Sequence, residues 1–120
     1  WVPYRGEETV RQVRDALAAV DPAEGTNLHA GLELAFRLRP AGLDTVYLLS
    51  DGLPTDGPGA PDLPSGRVQT PLEERERNEL LTRALRRTLR DEWNRPGGRG
   101  RVRINTVGFF FESPEVGAFL

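Results

Sequence analysis

Asp44-Thr45-Val46-Tyr47-Leu48-Leu49-Ser50-Asp51-Gly52 is the stretch whose reading decides the fold. From Thr45 to Leu49 the residues are β-branched, aromatic or leucine, with no polar alternation. Such a run predicts a strand covered on both faces, as in a parallel α/β sheet. The run ends in Asp51-Gly52. An aspartate is therefore expected just past the carboxyl end of a strand, where open parallel sheets gather their ligands. Gly52 is expected to let the backbone turn away sharply there.

Working outward, residues 52–70 form a loop rich in Gly (Gly52, Gly57, Gly59, Gly66) and Pro (Pro54, Pro58, Pro61, Pro64). Loops of this length inside domains are usually functional or mobile. Thr70-Pro71-Leu72-Glu73 then predicts a helix start. Thr70 can cap, Pro71 suits the first helical position and Glu73 completes a capping box. Leu81, Leu85, Leu89 and Trp93 recur every four residues, with Leu80 and Ala84 beside them, so the helix is expected to reach about Trp93. Arg95-Pro96-Gly97-Gly98 ends it, and Val102 to Val107 reads as a second strand entering Gly108. Ser113-Pro114-Glu115 reads as a further helix start.

On the amino-terminal side, Leu28 to about Leu38 predicts a helix with Leu28, Leu32, Ala35 and Phe36 on its buried face. Gly31 inside it costs about 1 kcal/mol relative to Ala, which close approach of a neighbouring backbone would explain. Before the loop Ala23-Glu24-Gly25-Thr26-Asn27, Glu7 to Val20 predicts another helix. Val10, Val13, Leu17 and Val20 make its apolar stripe, and Asp21-Pro22 stops it. Strands alternating with helices predict βαβ units and a mostly parallel sheet flanked by amphipathic helices. Helix 71–94 is then a right-handed crossover on one sheet face. Residues 1–120 read as one partial α/β domain, cut from something longer at both Trp1 and Leu120.

Composition narrows the function. The 120 residues carry 16 basic and 18 acidic groups, a net charge of -2, which makes no case for nucleic acid or an anionic membrane. All the basic residues are Arg, which reads as the coding bias of a GC-rich genome. Cysteine is absent, so disulfides, thiolate nucleophiles and cysteine zinc sites are excluded. No apolar run approaches the ~20 residues that span a bilayer.

Two places join polar side chains to turn chemistry: Gly25-Thr26-Asn27 before a helix, and Ser50-Asp51-Gly52 after a strand. Together with Leu28, the strand 45–49, Leu53-Pro54, the strand Ile104-Asn105-Thr106-Val107-Gly108 and Ser113 to Leu120, they resemble the von Willebrand factor type A domain. The resemblance covers the second half to two-thirds of such a domain. It implies a doubly wound, Rossmann-like fold with a metal-ion-dependent adhesion site. In that site Thr26 and Asp51 would be ligands to Mg²⁺ or another divalent cation, and a protein partner would offer an acidic side chain. The family's Asp-x-Ser-x-Ser loop does not occur in this sequence. The first strand and three of the usual ligands are therefore missing, and weak or no Mg²⁺ binding is expected of this chain alone. The absent strand would also leave a hydrophobic edge beside residues 45–49.

Plainer readings stand beside these. Asp51 alone reads equally as a strand-terminating turn residue, and Thr26 alone reads as a cap hydroxyl. Asp56 reads as a turn residue, and His29 as an ordinary helix residue without a metal-spaced partner. Arg75, Arg77, Arg83, Arg86, Arg87 and Arg90 alternate with Glu73, Glu74, Glu76 and Glu79, which reads as a solvated, salt-bridged surface. Phe109-Phe110-Phe111 reads as core and loop packing, with an exposed docking patch as the alternative. A non-enzymatic binding module is the leading expectation. A metal-assisted hydrolase using Asp51 is the alternative, although no Gly-x-Ser-x-Gly elbow or phosphate loop is present. A truncated domain with only a structural role is the third reading.

Overall fold

A computed structural model describes residues 2–21, 25–62, 68–95 and 100–109. It is a small α/β arrangement of three helices and a two-stranded parallel sheet. Strand β1 (Thr45–Ser50) pairs with β2 (Arg103–Gly108), Thr45 opposite Arg103 and Ser50 opposite Gly108. The ladder is closed at its ends by Arg103 N–H donating to the Asp44 carbonyl (2.8 Å) and Phe109 N–H donating to the Ser50 carbonyl (3.0 Å).

Parallel neighbours need a crossover, and α3 (Pro71–Thr88) supplies it. Its start follows the predicted chemistry. Thr70 Oγ1 accepts from Glu73 N–H (3.3 Å), and Thr70 N–H donates back to Glu73 Oε2 (2.9 Å). The helix then loosens into a π turn over Leu89–Trp93, where Asn94 N–H reaches the Leu89 carbonyl. The Asn94 side chain next clamps the returning chain: Nδ2 donates to the Val102 carbonyl (2.8 Å) and Oδ1 accepts from Val102 N–H (2.9 Å). The Arg39 guanidinium ties the same end, donating to the carbonyls of Trp93 and Gly100.

Helix α2 (Leu28–Phe36) lies on the same sheet face. Leu28, Leu32 and Leu85 form the buried nucleus, with Val46, Leu48, Leu89 and Trp93 packed against it. The His29 ring lies 4.8 Å from that of Trp93, tilted by 56°. Phe36 stacks on the other contact of Trp93 at 5.6 Å and 22°.

Several expectations require correction. The sheet is covered on one face: Tyr47 is 70 % and Leu49 61 % exposed, and Val107 beside Leu49 is also exposed. The apolar run of β1 supplies residues for two faces, but both α2 and α3 pack on the side of Val46 and Leu48. The stripe of α1 (Glu7–Ala18) is likewise exposed at Val10, Val13 and Leu17. Only Thr9 of that helix is buried, its Oγ1 accepting from Arg5 N–H (2.7 Å). No close backbone explains Gly31, since a Cβ built there meets nothing within 4 Å. Gly52 does not make its turn through a positive φ. The buried Ser50 hydroxyl does so, donating to the Gly52 carbonyl (2.8 Å) and accepting from Gly52 N–H (3.3 Å). Helices α1 and α2 each stop two residues earlier than predicted. The predicted helix start at Ser113 and the residues Phe110 and Phe111 lie outside the described residues.

The described part of the Pro/Gly loop is anchored rather than loose. Pro54 is fully buried, the Pro61 carbonyl accepts from the Arg77 guanidinium, and Gly59 lies against α3. A Cβ at Gly59 would stand 2.2 Å from the Ala84 Cβ, and its φ of 110° is itself unfavourable for a side chain. Two glycine replacements should therefore move in opposite directions in urea denaturation. Gly31→Ala should raise stability by about 0.5–1 kcal/mol, through helix propensity alone. Gly59→Ala should lower it by about 2 kcal/mol.

Candidate functional site at the carboxyl end of the sheet

The carboxyl end of β1 and the amino end of α2 meet in one loop cluster. Topology requires this: α2 leads into β1 through a short turn (a 3₁₀ segment at Arg39–Ala41), so it must run back along the strand. Asn27 caps α2, its Oδ1 accepting from Ala30 N–H (2.9 Å). That cap fixes the residue before it, Thr26, at the rim.

Thr26 is held by its backbone. Its N–H donates to Thr55 Oγ1 (2.7 Å), and its carbonyl accepts from the N–H groups of Thr55 (3.0 Å) and Asp56 (3.3 Å). Asn27 Nδ2 adds a bond to Asp56 Oδ2 (3.3 Å), while Asp56 Oδ1 accepts from Gly57 N–H (2.7 Å). These bonds join two segments 29 residues apart in the chain. Because the clasp uses the main chain of Thr26, its side-chain hydroxyl is not consumed by it.

Asp51 is the first residue past β1 and is exposed. The clasp at Thr55-Asp56 lies four and five residues further along the same loop. Among the described residues, no hydrogen bond joins Thr26 to Asp51, and neither the Thr26 hydroxyl nor the Asp51 carboxylate makes one elsewhere. The residues that gather the rim, Asn27, Thr55 and Asp56, were not singled out as an assembly by sequence reasoning. Their signal was the second Asp-Gly, in Thr55-Asp56-Gly57, which echoes Ser50-Asp51-Gly52. Asp56 fills the turn role that its sequence context suggested.

As a donor set for a hard cation, the rim is partial. A divalent ion of this kind takes about six oxygens, several of them water for Mg²⁺. Thr26 offers a hydroxyl and Asp51 a carboxylate. Asp56 is already engaged at both oxygens, and the Ser50 hydroxyl is buried in its own turn. No group of three or more His, Cys, Asp or Glu side chains able to hold a metal occurs among the described residues. His29 packs on Trp93 rather than facing a ligand set. Alone, these residues do not complete a coordination shell.

The clasp can be weighed directly. Thr55→Val keeps the side-chain volume but removes the acceptor for Thr26 N–H. It should cost about 1–2 kcal/mol, the range for stranding one part-buried donor. Amide hydrogen exchange should accelerate most at Thr26, beyond the uniform acceleration that the lost global stability gives the core amides of β1.

No family model matches this chain, and neither a curated protein nor a solved structure matches it. No helix among the described residues is long and apolar enough to cross a membrane.

Proposed function

We propose that this chain is part of a protein-binding module of the von Willebrand factor type A kind, with a divalent-cation site at the carboxyl rim of its sheet. The observation that carries the reading is the clasp of Thr26 onto the loop leaving β1, which brings a hydroxyl-bearing loop and the Asp51 loop to one end of a parallel sheet. That end is where open α/β sheets hold ligands. Thr26 and Asp51 would be two of the oxygen donors to Mg²⁺. The remaining donors would come from a segment outside this sequence. A cation so held keeps uncompensated positive charge, and a partner's carboxylate would complete its shell.

Paramagnetic Mn²⁺, added substoichiometrically to the isotope-labelled chain, reads even weak binding through line broadening. The amides of Thr26 and of residues 50–52 should broaden first. Asp51→Ala should abolish that selectivity, while Asp56→Asn should leave it intact. Broadening centred elsewhere, for example on the acidic first turns of α3, or unaffected by Asp51→Ala, would remove the rim from the metal reading.

A further inference from the structure

Helix α3 carries a second surface, unrelated to the cation rim. Its acidic residues Glu73, Glu74, Glu76 and Glu79 lie in its first half, and no acidic residue interrupts Arg83 to Arg90. Arg83, Arg86, Arg87 and Arg90 fall at i, i+3, i+4 and i+7, so they form one stripe. All four are exposed. This stripe flanks a groove of about 620 Å³ between α3 and the loop after β1. Leu53, Leu80 and Ala84 give the groove an aliphatic floor, and the carboxylate that also lines it, Glu79, is paired with Arg75. Gly59, packed on Ala84, holds the loop wall in place.

The expected salt-bridged surface is therefore only half right. Arg75 pairs with Glu79 (3.5 Å), but among the described residues Arg83 and Arg87 form no salt bridge. Arg90 is paired at the far end with Asp91 (2.6 Å), and its hydrogen bond holds that carboxyl below the ordinary range.

We propose that this groove docks a short acidic segment of a partner protein, two carboxylates flanking one aliphatic residue. Charge complementarity and spacing favour this occupant. Arg83 and Arg87 are separated by about 6 Å along the helix axis. Carboxylates two residues apart on an extended segment lie about 6.6–6.8 Å apart on one side. Guanidinium forks bind such carboxylates through paired, charge-assisted hydrogen bonds. The residue between them turns to the opposite side, toward Leu53 on the loop wall. Single-stranded nucleic acid is held by aromatic stacking platforms, and among the described residues no aromatic side chain lines this groove.

Fluorescence anisotropy on the full 120-residue chain tests the proposal with three labelled twelve-residue peptides and a twelve-nucleotide poly-dT. The peptides carry central Glu-Leu-Glu, Gln-Leu-Gln or Glu-Ser-Glu in Gly/Ser flanks. The Glu-Leu-Glu peptide should bind best, with no change in EDTA, which separates this groove from the cation rim. Arg83→Gln with Arg87→Gln should weaken it about tenfold, equivalent to about 1.4 kcal/mol. Arg11→Gln with Arg14→Gln, exposed on α1, should leave it unchanged. Circular dichroism should report the same fold for both double variants. The proposal is overturned by absence of binding, by equal affinity for the Glu-Leu-Glu and Gln-Leu-Gln peptides, or by equal losses in the two double variants. It is also overturned if poly-dT binds more tightly than the peptide and loses that binding with Arg83 and Arg87.

Discussion

Pairing Thr45–Ser50 in parallel with Arg103–Gly108 obliges the intervening chain to return the full length of the strand. Most of the structure follows from that obligation. The return is made by α3, whose Leu85 enters the core opposite Leu28 and Leu32. The preceding helix must also run back along β1, so its amino end arrives at the strand's carboxyl end. Two loops distant in sequence thus share one rim, and Thr26 can exchange main-chain hydrogen bonds with Thr55 and Asp56. At the opposite end, Arg39 and Asn94 satisfy the carbonyls that the loosened end of α3 and the returning chain present.

The same arrangement leaves an imbalance. Helices α2 and α3 bury one side of a two-stranded sheet, while Tyr47, Leu49 and Val107 face outward. The stripe of α1 is also exposed, and β1 has one edge without a strand partner among the described residues. A two-stranded sheet with one packed face has little cooperative support. Local opening should therefore be easiest at α1 and hardest around Leu85.

Local rules made much of this legible. The capping box at Thr70 and Glu73, the leucine spacing of α3 and the apolar run of β1 each specify backbone geometry over a few residues, and each appears where it was read. What could not be read was whatever depends on another part of the chain. The stripe of α1 announces a helix but not a surface to receive it. Gly31 gives no hint that its surroundings are open, and Gly52 drew attention away from the Ser50 hydroxyl that shapes the turn. Thr26 and Asp51 were individually visible at turn positions. The clasp through Thr55 and Asp56 was not, because hydrogen bonds spanning 29 residues leave no periodic trace.

The functional reading rests on Thr26 and Asp51 occupying one end of the sheet. The chain contains no cysteine, so Thr26→Cys with Asp51→Cys would accept a single nitroxide pair. The clasp uses only the main chain of Thr26, so labelling leaves its hydrogen bonds in place. Dipolar broadening of the electron paramagnetic resonance spectrum reads the separation directly. The account predicts strong broadening in the folded chain, lost in denaturant and absent for a pair at Thr26 and Arg101, which lies at the other end of the sheet. A folded spectrum for the 26–51 pair without broadening, matching the 26–101 pair, would contradict it.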